Sequence, residues 1–222
     1  GVNGIGVDVI ALTHYHGDHI FGLPGLLQTM NSMGRQDPLY IVGPEGIRGE
    51  LSPILTLAGW LAYEVRLMEL PPEGVALNDL TGGWPEGARL TPFATEHRIA
   101  SQGYVFTLPR AGKFLPDKAR ALGGPTNQWR FLQKGECVQL GDVTITPDQV
   151  MGPARKGLKV VFSGDTAMCD TLVQAADQAD LLICEATYGE NEQEELAADH
   201  GHMTFSQAAR LAAQAGVRTL WL

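Results

Sequence analysis

Three histidines and an aspartate fall within six residues in the run Thr13-His14-Tyr15-His16-Gly17-Asp18-His19. His14 and His16 alternate, so on an extended chain both rings project to one side and can grip one ion. Asp18 and His19 follow at once and turn toward a neighbouring position. Imidazoles joined by a carboxylate form a borderline-to-hard donor set, which suits Zn²⁺. A polar loop could hold histidines by chance, but half of the chain's six histidines crowd into this segment. Two adjacent sub-sites point to a pair of metals sharing one water, and hence to hydrolytic chemistry.

A paired site needs ligands from elsewhere in the chain. His97, in Ala94-Thr95-Glu96-His97-Arg98, follows the strand-like run 90–94. Asp165, in Ser163-Gly164-Asp165-Thr166, follows the apolar run 158–162. Both stand at strand ends, where α/β folds place their chemistry. Each has a plainer reading, His97 as a loop histidine and Asp165 as a helix N-cap. Beside the first loop, ligation is the favoured reading of both.

The elements that must position these groups alternate in type. Residues 7–12, 39–42, 158–162, 181–184 and 217–222 read as short buried strands. Helical spacing covers 21–33, with a regular start near Leu23, and 47–61, interrupted by Pro53. Further helices are expected at about 168–178 and at 205–215, the latter capped by Thr204 or Ser206. Residues 63–108 carry several short strands, and 190–199 read as an acidic loop. Strands alternating with helices around a strand-rich middle indicate an α/β layered fold. The chain starts just before one strand and stops within another, so a piece is expected beyond each end.

The longer run His14-Tyr15-His16-Gly17-Asp18-His19-Ile20-Phe21-Gly22-Leu23-Pro24-Gly25-Leu26-Leu27 resembles the ribonuclease Z family. This is the tRNA 3′-processing endonuclease branch of the metallo-β-lactamase superfamily. Residues 37–46, 97–104 (HRIASQGY), 162–166 (FSGDT), 180–188 (DLLICEATY) and 201–204 (GHMT) are similar to the same family, in its order. The resemblance implies a metallo-β-lactamase αββα sandwich, here lacking the N-terminal strands and the C-terminal end. It implies that His14, His16 and His97 hold one zinc, that Asp18 and His19 hold the other, and that Asp165 bridges them. The second zinc's last histidine would fall beyond Leu222. Asp18 and His202 would be catalytic, with His202 protonating the leaving 3′-oxygen, and Glu185 would orient a histidine. His200 competes with His202, but the Gly-His-x-Thr context favours His202 and leaves His200 a plain loop residue. Where family members often have a histidine, this chain has Cys184, which is assigned to packing.

Bulk properties narrow the partners. The 222 residues are 44% hydrophobic and 18% charged, enough for one large domain spanning 1–222. The formal net charge of -9 argues against a non-specific nucleic-acid binder. Yet residues 110–134 carry Arg110, Lys113, Lys118, Arg120, Arg130 and Lys134 against Asp117 alone, a local charge of +5. Such a patch suits a phosphate backbone. The family has a tRNA-gripping arm with a Gly-Pro motif at this place, so an arm-like insertion at about 110–135 is expected. It would bind through Lys113, Lys118, Arg120, Gly124, Pro125, Arg130 and Lys134. Three cysteines without a CxxC pair argue for reduced thiols and a cytoplasmic protein. No run has the length of a membrane span.

The expected function is therefore a zinc endoribonuclease that removes 3′ trailers from precursor tRNA by hydroxide attack on a phosphodiester. The family resemblance also implies a homodimer. Two alternatives stand beside it. One is a phosphodiesterase or arylsulfatase-like hydrolase of small substrates on the same fold. The other is a truncated, non-catalytic RNA-binding member.

Overall fold

The computed structural model describes residues 6–222. The expected domain also takes in residues 1–5, which lie outside the described residues. The chain divides into two compact units: one runs up to Leu108 and resumes over Lys159–Leu222, and the other is Pro109–Leu158.

In chain order the first unit opens with β1 (Val9–Ala11), α1 (Gly17–Ile20), α2 (Leu23–Ser32), β2 (Leu39–Gly43) and α3 (Ile47–Ala58). There follow β3 (Val65–Glu69), β4 (Val75–Ala76), α4 (Leu77–Leu80), β5 (Arg89–Ala94) and β6 (Gln102–Arg110). The second unit holds α5 (Pro116–Ala121), α6 (Trp129–Gln133), β7 (Val138–Leu140), β8 (Val143–Ile145) and α7 (Pro147–Val150). The chain then forms β9 (Arg155–Phe162), α8 (Asp170–Ala176), β10 (Leu181–Ile183), α9 (Glu194–Asp199), α10 (Phe205–Gln214) and β11 (Leu220–Trp221).

Two sheets stack in the first unit. One is the parallel set β1-β2-β3, and the other has the order β11-β10-β9-β6-β5-β4. Strand β2 shows why they stack. All five of its residues are buried, so both of its faces are covered. Leu39 and Ile41 join Leu27 and Met30 of α2 and Leu51 of α3 on one side. Tyr40 and Val42 turn the other way, to meet Leu90 of β5 and Tyr104 of β6. On the far face of the second sheet, Val161 and Leu182 pack on Leu172 of α8 and Leu211 of α10. Three apolar layers between four layers of structure make an αββα sandwich.

Some sequence expectations need correction. Strands β1 and β11 were expected to be buried, but among the described residues each pairs on one side only, with β2 and β10 respectively. Trp221 is accordingly exposed. Pro53 does not interrupt α3, which runs through it from Ile47 to Ala58. The buried apolar face of Ile47, Leu51, Ile54 and Ala58 holds the helix together across it. The acidic run 190–199 is not a loop. A capping box formed by Glu190 and Gln193 leads into α9, and Glu194 pairs with Arg210 at 2.7 Å.

The second unit is also more ordered than a polar arm, and it extends well past residue 135. Ala119, Leu132, Val138, Ile145 and Val150 form its own small core, flanked by Phe114 and Trp129. Gly124 is buried, and its carbonyl accepts a hydrogen bond from Trp129 Nε1 at 2.9 Å. Lys113, Lys118, Arg120, Arg130 and Lys134 are exposed. The unit carries eight basic against four acidic residues, so it is net positive in a negative chain.

Cys169 and Cys184 are buried and Cys137 is exposed, all as free thiols. Burial pushes the Cys184 thiol up to about 12, which leaves it an inert packing group. Among the described residues no helix is long and apolar enough to cross a membrane.

One buried charge ties β1 to β2. Arg35 is 1% exposed and donates to the carbonyls of Val7, Asp37 and Pro38 at 2.7–2.8 Å. Its guanidinium also lies 5.5 Å from the Tyr63 ring centre and 3.8 Å from Asp8. Removing it takes the donor from three carbonyls at once and leaves Asp8 without its nearby cation. Arg35→Ala should lower unfolding free energy by about 3 kcal/mol or more. Urea denaturation followed by circular dichroism measures this, and a loss below 1 kcal/mol would show that the carbonyls find other partners.

Candidate metal centre

Three chain segments arrive at the same end of the two sheets. Strand β1 delivers residues 12–19, β5 delivers 95–97 and β9 delivers 163–166. Their approach is fixed by hydrogen bonds that the sequence did not advertise. Tyr104 OH donates to Leu12 O at 2.7 Å and itself accepts from Gln102 Nε2 at 2.6 Å. Gln102 N donates to Thr13 O at 2.9 Å. Burial holds the Tyr104 phenol well above its ordinary pKa, so it stays a neutral donor. Thr166 Oγ1 accepts from Glu96 N at 3.0 Å, and Ala167 N donates to Glu96 O at 2.8 Å. The His97 and Asp165 loops are thereby locked together.

His14 is fully buried, and its Nε2 has no hydrogen-bond partner. Burial, the largest cause, together with the neighbouring His19 ring, holds its pKa down to about 4. The ring is thus neutral and offers a lone pair. His16 sits in extended backbone as the N-cap of α1, whose single turn carries Asp18 and His19. His97 Nδ1 lies 2.9 Å from Gly201 O, and a carbonyl can only accept. The proton is therefore on Nδ1, and Nε2 is free to face the cluster, 3.1 Å from His16 Nδ1. Nitrogens gripping one four-coordinate ion at about 2.0–2.1 Å stand roughly 3.3 Å apart, so this spacing fits.

His14, His16 and His97 form one group whose ligand atoms lie within 4.8 Å of one another. His14, His19 and Asp165 form a second, and His97, Asp165 and His202 a third. Asp165 belongs to two of these, with Oδ2 at 3.3 Å from His19 Nε2 and 3.8 Å from His14 Nε2. Asp18 belongs to none. Its side chain is 81% exposed, with Oδ2 at 3.4 Å from His19 Nε2, at the mouth of the same cavity. A buried nitrogen without a partner, an aligned nitrogen pair and a central carboxylate make a donor set that fits divalent metal.

Glu185 stands behind the cluster and takes five hydrogen bonds. Oε1 accepts from Thr166 N at 3.0 Å and lies 2.8 Å from His202 Nδ1. Oε2 accepts from Thr187 N, Thr187 Oγ1 and Met203 N at 2.9–3.2 Å. With Nδ1 held there, His202 has Nε2 left for the cavity that it lines with Asp165 and His97. His200 is not a plain loop residue. It lines that cavity too, and its Nδ1 lies 2.5 Å from Tyr188 OH. Tyr104, Gln102, Gly201, Tyr188 and Arg98 escaped the sequence reading of the site. The glycines offered the one available signal. Gly164 and Gly201 both have positive φ, and a Cβ on either would run into Thr13 or His97.

Residues 1–31 match the metallo-beta-lactamase superfamily, and residues 150–222 match a beta-lactamase superfamily domain. The structure superposes on human tRNase Z, short form, with a TM-score of 0.60 at 24% identity, covering 99% of this chain and 72% of that one. It also superposes on YhfI from Bacillus subtilis, a metallo-beta-lactamase fold protein, with a TM-score of 0.59 at 19% identity, covering 99% and 65%. The sandwich is that of a metallo-β-lactamase-fold protein. The chain is 42% identical to ribonuclease Z from Lachnospira eligens, over 97% of its own length and 69% of the relative's. It is 42% identical to ribonuclease Z from Methanosarcina acetivorans, over 96% and 68%. It belongs to the ribonuclease Z family.

Gly201 links the His97 tautomer to the loop that carries His202. A Cβ there would stand 2.8 Å from His97 Nδ1, on backbone with φ +71°. Gly201→Ala should weaken divalent-metal binding by about 10–100-fold, the usual effect of losing the partner that orients a histidine at a metal site. Gly189→Ala, where nothing lies within 4 Å, should leave it unchanged. Competition with a chromophoric chelator reads both affinities. Equal affinity in the two variants would show that the Gly201 carbonyl does not orient His97.

Proposed function

We propose that the protein is an endoribonuclease that removes 3′ trailers from precursor tRNA, using two zinc ions per chain. The convergence of the two histidine–aspartate groups and the Glu185–His202 pair on one cavity carries this reading, in a chain of the ribonuclease Z family. His14, His16 and His97 would hold one ion and His19, Asp18 and Asp165 the other, with Asp165 between them. When bound, such ions polarise water and neutralise the charge that builds on a phosphodiester.

The chain's own groups then divide the proton work. Asp18, exposed beside His19, is placed to take a proton from the attacking water. The water oxygen bonds to phosphorus as the bond to the 3′-oxygen breaks. His202 gives a proton to that leaving oxygen from Nε2, while Glu185 holds the ring in place through Nδ1. The products are a tRNA 3′-hydroxyl and a trailer 5′-phosphate. The exposed cations of residues 109–158 supply a phosphate-binding surface in a chain that is otherwise acidic. Phe21, Leu57 and Trp60 are each more than 70% exposed on or beside α1 and α3, large apolar side chains that the second copy of a homodimer would cover.

End-labelled precursor tRNA with a 3′ trailer tests the reading. The zinc-loaded chain should cut at the trailer junction, and EDTA should abolish cutting. His202→Ala should lower kcat by about 10²–10⁴-fold with metal content unchanged. Turnover of bis(p-nitrophenyl) phosphate with no cutting of RNA would favour the small-substrate hydrolase. Fewer than two zincs and no hydrolysis of either would leave the non-catalytic reading. Separately, replacing Lys113, Lys118, Arg120, Arg130 and Lys134 by Gln should flatten the dependence of log affinity on log salt. The slope should fall by about 0.7–0.9 for each phosphate that is no longer neutralised. An unchanged slope would take that surface out of RNA binding.

A further inference from the structure

One wall of the metal cavity has no part in the roles above. Arg98, Tyr188 and His200 line it, facing a volume of about 390 Å³ shared with His16, Asp165 and His202. That volume falls in the range of small-ligand sites, large enough for part of a nucleotide. Arg98 is exposed and has no ion-pair partner among the described residues, within a unit where acidic residues far outnumber basic ones. Its backbone is fixed by its neighbour His97, whose ring is anchored on Gly201 O.

Tyr188 is held as firmly. Its N–H donates to Met203 O at 3.1 Å, and its carbonyl accepts from Phe205 N at 3.0 Å. Its hydroxyl meets His200 Nδ1, and His200 in turn is anchored by its own N–H on the last turn of α9, at Leu196 O and Ala197 O. The Tyr188 ring centre lies 6.3 Å from that of His202, the group beside the reacting bond. An unpaired guanidinium and a rigid aromatic ring on one cavity wall match the two halves of a nucleotide, its phosphate and its base.

We propose that Arg98, Tyr188 and His200 form a nucleotide subsite beside the metal centre. Arg98 binds the phosphodiester next to the scissile one. Tyr188, its hydroxyl held by His200, stacks a flanking base. The subsite rests on the RNA-cleaving reading above and adds to it the strand segment that enters the cavity.

Fluorescence anisotropy with labelled precursor tRNA in EDTA reads binding without cleavage. Arg98→Gln should weaken binding about tenfold and reduce the salt slope by roughly 0.7–1, the value of one neutralised phosphate. Arg98→Lys should restore the slope but only part of the affinity, because ammonium lacks the bidentate fork. Tyr188→Ala should weaken binding about tenfold at an unchanged slope, the mark of missing stacking rather than missing charge. Tyr188→Phe, which keeps the ring and the fold, should bind better than Tyr188→Ala. If the wild-type chain binds and Arg98→Gln matches it in affinity and slope, the subsite is wrong while the RNA reading stands. Equal binding by Tyr188→Ala and wild type likewise removes the stacking platform. If the wild-type chain binds no precursor tRNA, both readings fall together.

Discussion

The Glu185 carboxylate sits where three loops meet, and its five hydrogen bonds decide their relative positions. It receives Thr166 from the loop that carries Asp165, Thr187 from the loop after β10, and Met203 and His202 from the loop after α9. Its side chain is 8% exposed, so each donor it binds would otherwise lose water without replacement. A carboxylate with several converging donors is also a strong electrostatic anchor in a poorly hydrated place. It therefore does two things with one group. It fixes a candidate proton donor in a single tautomer, and it holds that donor in register with a candidate metal ligand one loop away.

The sheets deliver those loops to it. Strands β9 and β10 run parallel in register, so the segments after Phe162 and Ile183 emerge side by side. Strand β6 acts across the sandwich, where Tyr104 reaches the end of β1 through Leu12 O. The positions of His14 and Asp165 thus depend on packing between sheets as well as within them. Gly164 is a point of close approach, because a Cβ there would occupy the space of Thr13. Sandwich geometry and site geometry are in this sense one constraint.

How much of this was legible in the chain can be argued residue by residue. The histidine loop, His97 and Asp165 were visible because ligand chemistry needs particular residue types at strand ends, whereas Glu185 and His202 were legible only through the family resemblance. Strands β2 and β10 and helices α2 and α10 were visible because their apolar patterns are long or strict. Helices α5, α6 and α9 were not, since helices of five or six residues offer less than two turns of periodicity. The small core of residues 109–158 was hidden for the same reason, its apolar residues being scattered among surface cations. Arg35 and Tyr104 looked like ordinary polar residues, since their worth lies partly in the carbonyls of Val7 and Leu12, which are distant in sequence. His200 and Tyr188 were hidden because the hydrogen bond that joins them spans a helix no pattern announced.

The buried nitrogen of His14 shows what the arrangement sacrifices. A neutral imidazole with an unpaired, fully buried Nε2 costs about 1–3 kcal/mol of folding stability. A hydroxyl or a water-filled gap at this place would be cheaper, yet His19, Asp165 and His97 all press in on the same ring. Burial first, and the neighbouring His19 after it, depress its basicity, so a proton does not relieve the strain near neutral pH. A cation that accepted the lone pair while balancing the carboxylate of Asp165 would relieve it. Stability given up in the protein alone would then be returned on binding, linking metal affinity to folding through one atom. Gly164 and Gly201 leave room for that close packing, since a Cβ on the first would meet Thr13 and on the second the His97 ring.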